Sequence, residues 1–198
     1  MNLFRVSELR LLTGPQLVEE QRQGALILDT RDAERFASLH IRGSIQISLM
    51  GHFASWAAVL IKPAQRLGLV ADNVQDVEEA HTRLIRVRLG QVIGYSLADE
   101  KQWREEGVDL ASISIDRCEH VRQTLEHHPA LQLVDVRSRA EWLKGHLPGA
   151  ISLLYSTSCQ KSKLLILPST AWCTATKDIA RRRQPVSCSG RALPISVF

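Results

Sequence analysis

The sequence predicts an α/β protein: two copies of one domain, each with a mainly parallel central sheet flanked by helices, the second copy incomplete. Three observations carry this expectation. A block of residues recurs at a constant offset of 106 positions: Leu28, Asp29, Thr30, Arg31, Phe36, His40, Ile41, Gly43, Ser44, Ile45 and Ile47 match Val134, Asp135, Val136, Arg137, Trp142, His146, Leu147, Gly149, Ala150, Ile151 and Leu153. Short apolar runs alternate with helical-period segments, the pattern of strands in a parallel sheet joined by helices. The composition, 198 residues with 44% hydrophobic, 23% charged and 5% aromatic, holds enough apolar material for one large or two small domains and excludes collagen-like, disordered and coiled-coil classes.

Each copy opens alike. A helical-period segment at residues 16–21 or 117–126 precedes an apolar run at 25–28 or 131–134, which reads as a buried strand. After Asp-x-Arg comes a short polar helix, then Gly43 or Gly149 breaks the chain before a second strand at 44–48 or 150–153. The first copy continues with a central strand at 66–71, a helix at 77–86, a strand at 91–95 and a helix at 100–106 closed by Gly107. A linker follows near 109–115. The expected division is 8–112 for a complete domain, 113–154 for the first part of another, and 155–198 for a tail without a fold.

The charge of +4 and pI near 9.1 belong to that tail. After Glu141 the only acidic residue is Asp178, against Lys144, Lys161, Lys163, Lys177, Arg181, Arg182, Arg183 and Arg191. The basic pI therefore does not indicate a nucleic-acid partner. No apolar run reaches the roughly 18 residues of a membrane span, and residues 1–10 are charged where a signal peptide is apolar, so no membrane partner and a cytoplasmic location are expected. Cys118, Cys159, Cys173 and Cys188 show no CxxC or paired metal spacing and read as free thiols, with no metal or other cofactor implied.

The motif Val134, Asp135, Val136, Arg137, Glu141, Trp142, Gly145, His146, Leu147, Pro148, Gly149, Ala150, Ile151 resembles the rhodanese sulfurtransferases, in which Asp-x-Arg leads through an acidic, aromatic helix to Gly-His-Ile-Pro-Gly-Ala. The first copy is looser, with Leu39 for the first Gly and Arg42 for Pro, but keeps Asp29, Arg31, His40 and Gly43. Phe53, Ala54, Ser55, Trp56 and Ala57 further resemble the tandem rhodanese half that follows a metallo-β-lactamase-fold persulfide dioxygenase in some bacterial fusions. The repeated residues read as framework. Asp29 and Asp135 end strands where a carboxylate accepts backbone N–H groups, Arg137 lies one helical turn from Glu141, and His40 and His146 precede a Gly turn as hydrogen-bonded residues rather than bases.

The resemblance implies that the chemistry lies elsewhere, in a Cys-x-x-Gly-x-Arg loop between a central strand and a helix. There, loop N–H groups, the helix N-terminus and the Arg favour a thiolate that carries sulfane sulfur as a persulfide. In the first copy that place holds Asp72, Asn73, Val74, Gln75 and Asp76, with no thiol and with carboxylates that repel thiosulfate. In the second copy the place falls near Cys173, after the strand-like Pro168, Ser169, Thr170, Ala171 and Trp172. Thr174, Ala175, Thr176, Lys177 and Asp178 then supply neither Gly nor Arg, so Cys173 is read as noncatalytic.

Codon degeneracy offers a reason. Read two nucleotides downstream, the codons of Trp172 to Arg181 permit Val-Tyr-Cys-x-x-Gly-Tyr-Arg-Ser, the missing loop, which indicates a frameshift between Leu153 and Trp172. The resemblance thus implies sulfane sulfur transfer from thiosulfate or a persulfide to a thiol or cyanide, with a small sulfur compound or a thiol acceptor protein as partner. The chain as written is expected to be inactive, and no catalytic, cofactor-binding or metal-ligating residue is assigned. The alternatives are a noncatalytic rhodanese-like binding or regulatory module and a nonfunctional frameshifted product.

Overall fold

Helix starts are written plainly in the sequence. Thr13 and Gln16 form a reciprocal capping box at the start of α1 (Gly14–Arg22), with Pro15 in its first turn. Asp32 caps α2 (Ala33–Ser38), Asn73 caps α4 (Val74–Arg86) and Asp99 caps α5 (Glu100–Glu105), each accepting the backbone N–H three residues on. Between α2 and α4 lies α3 (Phe53–Leu60). The strands are β1 (Leu26–Asp29), β2 (His40–Ile41), β3 (Ile45–Gln46), β4 (Leu67–Ala71), β5 (Val92–Leu97) and β6 (Leu110–Ala111). The computed structural model describes residues 9–113, 116–117, 123–124, 126–127, 132–135, 138–152, 171–174 and 191–192.

The chain divides into two units, Met1–Ile113 and Ser114–Phe198. In the first, four strands form a parallel sheet in the order β3-β1-β4-β5. Both faces are covered, as a sheet of buried parallel strands requires. On one face Leu28, Leu67, Leu69, Ala71 and Tyr95 pack with Phe53 and Ala57 of α3 and Val77, Ala80 and Leu84 of α4. On the other, Ile27 and Val70 pack with Leu12, Leu17 of α1, Ile41 and Trp103 of α5. The exposed edge of β5 is partly occupied by the segment before α1, where Arg10 and Leu12 exchange backbone hydrogen bonds with Tyr95.

The second unit contains β7 (Asp116–Arg117), β8 (Gln132–Asp135), α6 (Arg139–Lys144), β9 (Ile151–Ser152), β10 (Ala171–Thr174) and β11 (Arg191–Ala192). Its parallel sheet runs β10-β8-β9, and β7 pairs antiparallel with β11. The register of β8 on β9, Val134 to Ile151 and Asp135 to Ser152, repeats that of β1 on β3, Leu28 to Ile45 and Asp29 to Gln46, at the same 106-residue offset. No helix among the described residues is long and apolar enough to cross a membrane.

Four features differ from the sequence expectation. Residues 110–111 of the expected linker form β6, which pairs with β2 and belongs to the first unit. Helix α3 is unmarked in the sequence because its run of Phe, Ala, Ser, Trp, Ala, Ala, Val and Leu carries no charged face to reveal a helical period. Arg117, expected to begin a helix, lies in β7, and helical backbone is described at Gln123, Thr124, Glu126 and His127. The stretch 155–198, expected to lack a fold, supplies β10 and β11.

Gly94 of β5 lies against the segment before α1, and a Cβ there would stand 2.7 Å from the Arg10 carbonyl oxygen. A backbone oxygen cannot swing aside as a side-chain tip can. Gly94→Ala is therefore expected to destabilise the first unit by about 1–3 kcal/mol in urea denaturation. An unchanged midpoint would show that residues 10–12 do not hold this edge.

Candidate functional site

The C-terminal end of β1 carries a buried ion pair. Asp29 and Arg31 are 1% and 2% exposed. Arg31 Nε donates to both carboxylate oxygens at 3.0 and 3.1 Å, Nη2 donates to Oδ2 at 2.8 Å, and the Arg31 backbone N–H donates to Oδ1 at 3.0 Å. The same Nη2 donates to the Leu39 carbonyl at 2.8 Å, the guanidinium lies 5.5 Å from the centre of the Trp103 ring, and Nη1 faces Glu100 at 3.6 Å. Burial pushes the Asp29 carboxyl above its ordinary range, and the hydrogen bonds and charge of Arg31 oppose that rise. The pair fixes the turn from β1 into α2. In the second unit Asp135 is likewise buried at the end of β8, while Arg137 lies outside the described residues.

Both repeated histidines have framework geometry. His40 is buried, stacks on Phe36 at 3.9 Å between ring centres, and its Nδ1 lies 2.8 Å from the Phe36 carbonyl. His146 stacks on Trp142 at 3.7 Å, with Nδ1 3.2 Å from the Trp142 carbonyl. Gly43 and Gly149 follow at φ of +79° and +81°, left-handed values that explain why glycine recurs there. Burial pushes the His40 imidazole below its ordinary range, against the opposing Phe36 carbonyl and Asp29 and with added repulsion from Arg31 and Arg42.

The first-unit stretch that the resemblance sets against the Cys-x-x-Gly-x-Arg loop is the turn from β4 into α4. Asp72 pairs there with Arg35 of α2, and Asn73 is committed to capping, its side-chain oxygen accepting the Asp76 N–H and its Nδ2 donating to Asp76 Oδ2. The turn holds no thiol, and its Asp72, Asn73 and Asp76 side chains are engaged in these contacts. Arg35 was not legible as a partner of Asp72, because nothing in a separation of 37 positions signals contact. In the second unit Cys173 lies within β10, in register with Val134 of β8. Its counterpart by register is Leu69, opposite Leu28, a core position inside β4 and three residues before Asp72. Thr176, which that register makes the counterpart of Asp72, and Cys118, Cys159 and Cys188 lie outside the described residues. Among the described residues no group of three His, Cys, Asp or Glu side chains gathers as metal ligands would.

Residues 119–183 match the family model for the Rhodanese-like domain. The match continues past residue 154 and includes β10. A comparison with curated protein sequences gives no match. Among solved structures, wild-type EanB is similar with 15% identity and a TM-score of 0.48, over 77% of this chain and 42% of that one. The anaerobic ergothioneine biosynthesis enzyme from Chlorobium limicola, in complex with trimethyl histidine, shows 16% identity and a TM-score of 0.47 over 73% and 41% of the two chains. The Rhodanese_3 like domain from Anabaena shows 14% identity and a TM-score of 0.35 over 46% and 94%. The chain thus spans 42% of the length of the EanB chain that it matches.

Two consequences follow from the geometry. Arg31→Met removes the three guanidinium donations to a buried carboxylate, leaving it the Arg31 backbone N–H, and is expected to cost about 3–5 kcal/mol of unfolding free energy, with part of the loss recovered by adding Asp29→Asn. A double variant no more stable than the single one would contradict a role in charge compensation. For His40, the unfolded chain takes up a proton near pH 6.5 whereas the folded unit resists protonation until lower pH, so stability falls as pH drops below about 6.5. His40→Asn keeps a donor for the Phe36 carbonyl but cannot titrate. A plot of urea midpoint against pH should be flatter for this variant; an unchanged slope would assign the acid sensitivity elsewhere.

Proposed function

We propose that this chain is a rhodanese-related protein of the sulfurtransferase type, built from two rhodanese-like units, and that it does not catalyse sulfur transfer in this form. The family activity is movement of sulfane sulfur from thiosulfate or a persulfide to a thiol or cyanide. The observation that carries the inactive reading is the turn from β4 into α4, where Asp72 is paired with Arg35 and Asn73 caps the helix at the place of the sulfur-carrying cysteine. Supporting the two-unit reading are the repeated register of β1 on β3 and β8 on β9, and the rhodanese-like match over residues 119–183. For the second unit, the position of Cys173 inside a strand argues against a loop nucleophile, since a thiolate needs the convergent N–H groups of a helix start.

The expected setting is the cytoplasm, and the expected partner is a small sulfur compound or a thiol acceptor protein rather than nucleic acid or a membrane. A noncatalytic binding or regulatory role, resting on the complete first unit alone, is the second reading. The frameshift account makes the chain a damaged form of an active enzyme, and the nucleotide sequence across codons 150–180 separates that account from the regulatory one.

The purified chain should show no thiosulfate:cyanide turnover above a Cys173→Ser control. Turnover that disappears in Cys173→Ser would overturn the inactive reading and make Cys173 the sulfur carrier.

A further inference from the structure

The last element of the first unit is lightly held. Strand β6 has two residues, and the unit ends at Ile113, directly after it. Ala111 pairs with His40 and Leu110 with Ile41. Outside that pairing, the Arg42 N–H donates to the Asp109 carbonyl at 3.0 Å and the Ile113 N–H donates to the Ala37 carbonyl at 2.8 Å. The Arg42 guanidinium adds donations from Nε to both Asp109 carboxylate oxygens at 3.0 Å and from Nη2 to the Leu110 carbonyl at 3.2 Å. The side chains of that ion pair are 58% and 68% exposed, so it contributes little. Leu110 packs on the cluster around Ile41 but is itself only partly buried. A segment with so little buried surface opens more readily than the sheet it lies beside.

His40, the partner of Ala111 in this pairing, is buried. The charged groups around its imidazole are Asp29 and Arg31 from the end of β1, Arg42 from the segment after β2, and Asp109, bound to Arg42, from the approach to β6. Helix α2 offers only the uncharged Phe36 ring and carbonyl. Asp29 is already committed to Arg31, so two guanidinium groups stand against one engaged carboxylate, a poor place for an imidazolium. We propose that residues 109–113 form an acid-released strap, in which protonation of His40 is accommodated by lifting of β6 and not by unfolding of the unit. Lifting brings water to the imidazolium and parts Arg42 from Asp109. The open form binds the proton more tightly, because His40 titrates there nearer its ordinary value of about 6.5. Each pH unit below that value therefore raises the open population by up to about tenfold. The strap leads directly into Ser114 and the second unit, so opening adds residues 109–113, up to about 17 Å of reach, to that connection. The device needs neither a second rhodanese-like unit nor sulfur chemistry.

Amide exchange of the full chain, corrected for the intrinsic dependence of exchange on pH, reads the strap directly. The bonds from the Arg42 and Ile113 amides to the Asp109 and Ala37 carbonyls break on opening. Between pH 7 and pH 5.5 these two amides are expected to lose protection by up to about tenfold, while the Thr30 amide, bonded to the Val70 carbonyl within the sheet, keeps its own. His40→Asn should abolish the dependence on pH. Asp109→Ala, which removes the carboxylate clamp and leaves His40 in place, should raise exchange of the same two amides at pH 7 by about two- to fivefold and retain the dependence. Parallel loss of protection at Thr30 would show that the proton enters by unfolding of the whole unit and would overturn the proposal. A pH dependence retained in His40→Asn, or strap amides that Asp109→Ala leaves unchanged, would overturn it equally.

Discussion

The buried pair of Asp29 and Arg31 is the constraint on which the first unit turns. A carboxylate and a guanidinium withdrawn from water are tolerated only when their hydrogen-bonding capacity is met nearby. Here four donations from Arg31 to Asp29 and one to the Leu39 carbonyl meet most of it within a few residues, and the remaining buried nitrogen, Arg31 Nη1, makes no hydrogen bond among the described residues but lies 3.6 Å from the Glu100 carboxylate. Because Leu39 ends α2, the guanidinium ties the end of the central strand to the far end of the following helix. Trp103 of α5 and Gln46 of β3, which donates to the Arg31 carbonyl at 2.8 Å, close the site from two further elements. A residue pair separated by one position thus coordinates the strand, a helix on one face and the neighbouring strand.

From that anchored strand end, the β4 turn lies directly beside the chain, since Thr30 donates to the Val70 carbonyl through both its backbone and its hydroxyl. A parallel sheet with this arrangement presents its β4 turn and the start of α4 as a natural place for anion binding. The first unit uses the place for structure instead. Asp72 answers Arg35 across the turn, and the Asn73 cap takes one of the N–H groups that a bound anion would need. The strand and helix of such a site are in place, but the turn between them holds a carboxylate and a capping amide and no thiol.

Much of this was legible in the sequence, for definite physical reasons. Strands β1, β4 and β5 are short apolar runs between polar punctuation, helices α1, α4 and α5 begin at side chains able to cap them, and the 106-residue repeat places Asp29 with Asp135 and His40 with His146. The framework character of His40 follows from its place four residues after an aromatic ring, which positions both the stack and the carbonyl contact. What stayed hidden depends on contacts distant along the chain. The pairing of β6 with β2 joins residues about 70 positions apart through two-residue strands too short to show alternation. The Arg35 to Asp72 ion pair has no local signature at all. Strand β10 was visible as an apolar stretch, but its register, which sets Cys173 opposite Val134 instead of at the loop, is a property of the sheet.

The central proposal is that Cys173, within β10, is not a sulfur carrier. Its most direct test is intact-mass and peptide mapping of the purified chain after incubation with thiosulfate, with the four cysteines scored for a gain of one sulfur atom. The account predicts no persulfide on Cys118, Cys159, Cys173 or Cys188 above the level of a denatured control. A persulfide formed on Cys173 of the folded chain, and discharged by cyanide, would contradict it.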